Sequence, residues 1–193
     1  MKAATLLFQS LATGGNQGYL VIFDEEIFMS KRPLLPSEAR EVIDEVKFDG
    51  GTALYEAIGK TSTQLLSRSR NPDFPRRAII LISDGDDNIS NLTFAKADEI
   101  AITEGVTIFS LVTPNNERHG KFAINLLSIT TGGRAIVDKH MEEGVAPLLA
   151  AINGQWALSL VPQQAPDQKL HSLTVKTTQR GVSLIAPEKI LLR

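Results

Sequence analysis

The sequence predicts an α/β chain: a doubly wound, mostly parallel sheet flanked by helices, followed by a small C-terminal β extension. Three observations carry this. Apolar runs of strand length occupy residues 19–23, 78–82 and 106–112, with amphipathic stretches of helical period between them. Strands alternating with helices of about 10–15 residues indicate parallel βαβ units. After Trp156 the alternation gives way to short strand-like segments broken by Pro, Gln and Asp. Residues 1–153 are therefore read as the α/β domain and residues 154–193 as the extension.

Taken in order, residues 2–11 place Ala3, Leu6, Leu7 and Leu11 at helical spacing, and the glycine-rich run 13–18 stops that helix. Residues 19–23 are continuously apolar between turn signals, the pattern of a buried strand. A short strand follows around 26–29. A helix begins at Pro36-Ser37-Glu38 and reaches about residue 46, with Ser37 as its expected N-cap. Residues 54–66 set Leu54, Ala57, Ile58, Leu65 and Leu66 on the inner side of a helix, and 71–75 read as a loop. Residues 78–82, Ala-Ile-Ile-Leu-Ile, are the strongest buried-strand signal and run directly into Ser83-Asp84-Gly85. A helix over 93–103 ends at Gly105, a strand covers 106–112, and a helix over 122–130 closes at Gly132-Gly133. A short strand spans 134–137. The last helix covers 141–152, where Pro147 indicates a kink or a late start. In the extension 157–161, 170–175 and 182–185 read as strands, with Trp156 packing the extension onto the domain.

A chain of 193 residues can bury one well-filled core. Its 20 basic and 22 acidic residues leave a net charge of −2, which offers no attraction to nucleic acid or an anionic membrane. There is no cysteine, so disulfides and thiol chemistry are excluded. No apolar run is long enough for a transmembrane helix, and residues 1–8 turn polar too early for a secretion signal. His119, His140 and His171 lack metal-ligand spacing and read as surface residues. No serine sits in a G-x-S-x-G turn, so nucleophilic hydrolysis has no support. Lys31-Arg32 and Arg76-Arg77 are isolated basic pairs, read as solvated loop ends.

Two loops carry the chemistry: residues 48–53, Phe-Asp-Gly-Gly-Thr-Ala, and residues 82–88, Ile-Ser-Asp-Gly-Asp-Asp-Asn. Each lies where one element hands over to the next, and each offers a hard oxygen donor, the Thr52 hydroxyl and the Asp84 carboxylate. Ligands of open α/β sheets gather beyond the carboxyl ends of the strands, where Asp84 falls. Such donors suit a hard divalent cation. Singly, an N-cap Thr and a turn Asp explain either residue; their pairing at two sheet-end loops points to a cation. Asp86 and Asp87 are read as polar loop residues.

In these loops, and in Tyr19-Leu20-Val21-Ile22-Phe23-Asp24, Gly105-Val106-Thr107-Ile108-Phe109 and Thr131-Gly132-Gly133-Arg134-Ala135, the sequence resembles the von Willebrand factor A (VWA) family, especially its bacterial members. The resemblance covers about residues 1–153. It implies a Rossmann-like fold and a non-enzymatic, adhesion-type role in protein–protein interaction. It further implies a metal-ion-dependent adhesion site (MIDAS), in which Mg²⁺, or Mn²⁺ or Ca²⁺, is completed by an acidic group from a partner protein. Thr52 would then be the second-loop ligand and Asp84 the third-loop ligand. The family's first loop, D-x-S-x-S, and the strand before it have no counterpart. Met1 matches the Met that often follows that loop. The expectation is a chain lacking its first strand, cut from a longer parent that is secreted or in the cell envelope. The absent strand would lie between the 19–23 and 78–82 strands. Thr52 and Asp84 alone carry one formal negative charge, so cation binding is expected to be weak or absent.

The run Asp84-Gly85-Asp86-Asp87-Asn88 is also similar to the D-x-D-x-[TV] nucleophile loop of haloacid-dehalogenase-like phosphatases, with Thr113 at a later strand end. Asn88 departs from that pattern, and no later Asp-Asp pair follows a strand. A calcium loop would need Gly and Glu where Ile89 and Ala95 stand. A non-functional fragment is the remaining alternative. The favoured reading is an interaction domain with no catalytic residues.

Overall fold

The computed structural model describes residues 1–13, 15–47, 50–66, 76–113, 118–156, 158, 161–163 and 165–192. Along the chain lie α1 (Lys2–Leu11), β1 (Val21–Phe23), β2 (Ile27–Met29), α2 (Pro36–Glu45), α3 (Leu54–Lys60) with a π-helical continuation (Thr61–Leu66), and β3 (Arg77–Ser83). Then come α4 (Phe94–Glu104), β4 (Val106–Val112), α5 (Arg118–Thr130), β5 (Ala135–Val137), α6 (Val145–Asn153), β6 (Leu170–Ser172) and β7 (Lys189–Leu191).

Period-two alternation in β4 builds the centre. Val106, Ile108 and Val112 face one way and pack with Leu54 and Ile58 of α3, Ala97 and Ala101 of α4, and Ile124 and Leu127 of α5. Phe109 and Leu111 face the other way and pack with Ala3 and Leu7 of α1 and Val145 and Leu148 of α6. β4 pairs in parallel with β3 along one edge and with β5 along the other. Helices thus cover both faces of a parallel three-stranded sheet, as the alternation of strands and helices predicts. Two buried polar groups on this sheet are satisfied: Ser110 Oγ lies 2.9 Å from Ser128 Oγ, and Thr131 Oγ1 accepts the Ile108 N–H at 3.0 Å.

Several boundaries differ from the sequence reading. Leu35, not Ser37, is the N-cap of α2; Pro36 opens the helix and Glu38 Oε2 accepts the Leu35 N–H at 2.8 Å. Glu38 also pairs with Arg32 through two contacts, at 2.6 and 2.9 Å, so Arg32 is not simply solvated. The Arg32 hydrogen bond is the main reason the Glu38 carboxyl is held down at about 2. Thr93 caps α4 and accepts the Lys96 N–H, and Gly105 ends it in the left-handed conformation. α5 begins at Arg118 instead of 122, and α6 begins at Val145, placing Pro147 in its first turn.

β1 and β2 form a separate antiparallel ribbon, Val21 opposite Met29, whose ladder does not reach β3 among the described residues. The Ala53 N–H donates to the carbonyl of Asp24, just past β1, at 2.9 Å, so β1 ends at the same end of the sheet as β3. A cavity of ≈ 1130 Å³ separates the two strands, lined by Leu20 and Ile22 on one side, Ile80 and Ile82 on the other, Leu7 of α1 and Ile58 of α3. This corrects the expectation of two fully buried strands. Val21, Ile22 and Phe23 are half-buried, and in β3 only Leu81 is buried while Ala78 is exposed. The apolar runs are those of interior strands, but the cavity lies along the edge where cover would come.

In the extension, β6 and β7 pair antiparallel, Leu170 opposite Leu191. Residues 182–185 are not a strand, and Val182, Leu184 and Ile185 are exposed. The second strand forms later because Glu188 is held on both sides: its N–H donates to Thr130 O at 3.1 Å and its carbonyl accepts the Leu173 N–H at 2.8 Å. Trp156 is not the packing anchor; it is 91% exposed. Glu188, on the end of α5, takes that role. Residues 71–75, most of 157–161 and the side chain of Leu66 lie outside the described residues. No described helix is long and apolar enough to cross a membrane.

Candidate metal site

The two loops singled out in the sequence meet at the carboxyl ends of the strands. Thr52 N–H donates to Asn88 Oδ1 at 2.7 Å, and Asn88 N–H returns a bond to Thr52 O at 3.1 Å. On the far side Gly51 N–H donates to Glu25 Oε1 at 3.1 Å, so the Gly-Gly-Thr loop is clamped between the β1–β2 turn and the loop after β3. A Cβ at Gly51 would lie 2.6 Å from Ile89 Cγ2 and 2.8 Å from Asn88 Oδ1, the acceptor of the Thr52 N–H. Gly85 is buried with φ +93, and a Cβ there would come within 2.1 Å of Gly120 O. The loop after β3 therefore rests directly on the first turn of α5.

Thr52 and Asp84 are both half-buried and both line the cavity, as do Ser83 and Thr113. Ala53, not Thr52, is the N-cap of α3, and among the described residues Thr52 Oγ1 makes no hydrogen bond. Asp84 Oδ1 accepts the Asp86 N–H at 3.2 Å. The Thr113 N–H donates to Ser83 O at 3.0 Å. Asp49 lies outside the described residues.

Asp87 is more than a polar loop residue. Its Oδ2 accepts the Tyr55 N–H at 2.8 Å and the Ser90 hydroxyl at 2.6 Å, while Ser90 Oγ accepts the Glu56 N–H at 3.1 Å. Asp87 and Ser90 thus supply from another loop the cap that α3 lacks locally. Burial, chiefly, and then the charges of Asp87 and Asp86 push the Tyr55 phenol up from its ordinary range. Sequence reasoning missed this because the partners are about thirty residues apart; only the Asp-x-x-Ser spacing of a turn hinted at it.

The donors fit a divalent cation in kind but not in number. Mg²⁺ takes one or two carboxylates with water completing an octahedron, and Asp84 supplies one carboxylate while Thr52 supplies a neutral hydroxyl. Among the described residues no three His, Cys, Asp or Glu side chains converge. His119 and His140 are exposed, and His171 pairs with Asp167 Oδ1 at 2.9 Å.

Similarity in shape now bears on the fold. The chain superposes on a von Willebrand factor type A protein from Catenulispora acidiphila with TM-score 0.62 at 15% identity, covering 76% of this chain and 35% of that one. The fold is VWA-like. An aerotolerance-related membrane protein from Bacteroides fragilis matches with TM-score 0.60 at 17% identity over 80% of this chain and 88% of that one. Manganese-loaded TRAP protein from Plasmodium vivax matches with TM-score 0.52 at 15% identity over 94% and 81%. No family model and no curated protein matches the sequence.

Proposed function

We propose that this VWA-like chain is a non-enzymatic, adhesion-type interaction domain spanning residues 1–153, with residues 154–193 as a β extension, and that its strand-end face meets an acidic group of a partner protein. Thr52 and Asp84 are the remaining ligands of an incomplete MIDAS, so Mg²⁺, Mn²⁺ or Ca²⁺ binds weakly or not at all. The observation that carries this reading is that Thr52 and Asp84, on loops joined through Asn88, line one cavity, with the Thr52 hydroxyl engaged by no described protein group. The cavity beside β3 supports the further reading that the chain lacks its family's first strand, and with it the first-loop ligands.

Calorimetric titration of Mg²⁺ and Mn²⁺ into the chain and into Asp84→Ala tests the site. The expected outcome is binding no tighter than about millimolar, reduced by the substitution. Micromolar binding that survives Asp84→Ala would overturn the ligand assignment. Turnover of a phosphate monoester, lost in Asp84→Asn, would replace the interaction reading by the phosphatase one.

A further inference from the structure

We propose that Asn153-Gly154, where α6 hands over to the extension, is a self-modifying site: the Gly154 backbone nitrogen attacks the Asn153 side-chain amide and converts the asparagine, through a cyclic imide, to aspartyl and isoaspartyl forms. The reacting groups belong to adjacent residues, so the reaction needs no docking surface, no partner and no cation.

The sequence supplies this pair once. Of the eight asparagines only Asn153 precedes a glycine; the others precede residues with side chains, or Pro72, which has no N–H. Without a Cβ, glycine lets its nitrogen reach the side chain before it and close a five-membered ring. The related pair Asp84-Gly85 is held out of that geometry. The Gly85 N–H donates to Ser83 Oγ at 3.1 Å, and its backbone lies directly on that of Gly120.

The structure leaves Asn153-Gly154 close to reaction. Asn153 is the last residue of α6 and is exposed, and among the described residues its side chain makes no hydrogen bond. Gly154 is the C-cap, with φ −81 and ψ 5, and its N–H donates to Ala150 O at 2.9 Å. That bond must open before the nitrogen can turn to its own neighbour's side chain. Beyond it Gln155 and Trp156 make no hydrogen bond among the described residues, and Trp156 is exposed. Val145 and Leu148, which seat α6 in the core, lie more than a turn earlier and stay in place. Opening therefore gives up one backbone bond at a helix end, where opening is easiest. One net hydrogen bond slows the reaction by no more than about tenfold.

The step balances without a co-reactant other than water. Gly154 N loses its proton to solvent and bonds to Asn153 Cγ; the Cγ–Nδ2 bond breaks and Nδ2 leaves as ammonia. Water then opens the imide. Attack at Cγ restores the normal main chain with an aspartyl side chain, and attack at the Asn153 main-chain carbonyl routes the chain through Cγ as isoaspartyl. The aspartyl form sets a negative charge at the carbonyl end of α6, where the helix dipole is already negative, and the isoaspartyl form adds a methylene to the main chain. Both loosen the last turn of α6, while Glu188 on Thr130 keeps the extension seated.

The test incubates the full chain, its Asn153→Gln variant and a capped synthetic peptide of residues 149–156 side by side in mildly alkaline buffer, with peptide mapping by mass spectrometry at intervals. The expected result is the mass gain of –NH₂ exchanged for –OH, confined to the fragment holding Asn153 and absent from that fragment in Asn153→Gln. Its rate should lie within about tenfold of the free peptide's and rise with pH, since the attacking nitrogen must lose its proton. Both aspartyl and isoaspartyl products should separate by chromatography. A rate slower than that tenfold limit overturns the proposal, because the helix end then protects the pair. So does an aspartyl product alone, which is direct hydrolysis without the imide, and so does a mass gain that Asn153→Gln leaves unchanged.

Discussion

At the scale of single residues, the loop after β3 is a structural organiser as well as a candidate site. Asp87 receives the Tyr55 N–H and, through Ser90, supports that of Glu56, so Asp87→Ala should cost about 0.5–2 kcal/mol in urea unfolding, with Asp87→Asn costing less. An unchanged midpoint would show that water replaces the cap. Gly85→Ala should cost more than about 1 kcal/mol, since it adds a left-handed penalty to a collision with the Gly120 backbone. Asp98 gives a pH signature. Burial is the chief influence raising its carboxyl above the ordinary range, opposed by the Thr130 hydroxyl and Lys189 and reinforced by Glu188. A raised acid favours the protonated fold, so its contribution is complete at low pH and is lost as pH rises through the folded value. Asp98→Asn keeps an acceptor for Thr130 without the charge. Its stability relative to the parent should therefore grow between about pH 4 and pH 7. A constant difference across that range would sink the assignment.

At the scale of elements, what could be read in advance was whatever depends on local pattern. β4, α1 and α4 appear where hydrophobic period and capping residues placed them, because Thr93 and Gly105 act within one turn of their own helix. Other misses involve distant partners. α5 starts at Arg118, and its first turn holds Gly120, whose close approach to Gly85 is not visible in the local sequence. β7 forms at 189–191, not at the more apolar 182–185, because Glu188 is fixed by Thr130 and Leu173. The same holds for the site: Thr52 and Asp84 were legible as types at loop positions, whereas the bonds of Asn88 and Asp87 to the neighbouring loop were not. Trp156 was misread because aromaticity argues for burial without saying against what. With 91% of it exposed, Trp156→Ser should shift stability by no more than about 0.5 kcal/mol in thermal or urea melts. A larger loss would restore its anchoring role.

At the scale of the whole molecule, the sheet's two faces are assembled from different parts of the chain. One face joins residues between Leu54 and Leu127, with α4 and α5 both packed on β4. The other brings Ala3 and Leu7 from the start of the chain to Val145 and Leu148 near the end of the α/β region. Closing that second contact requires a loop of well over a hundred residues, and long-range closure slows folding. During synthesis α1 and α2, which pack together, precede β4 and α6, so the β4 residues that α1 and α6 cover stay partly bare while the other face is already covered. Pulse-labelled amide exchange during refolding should therefore protect α4, β4 and α5 before α1. Simultaneous protection of all four would mean the two faces form in one cooperative step.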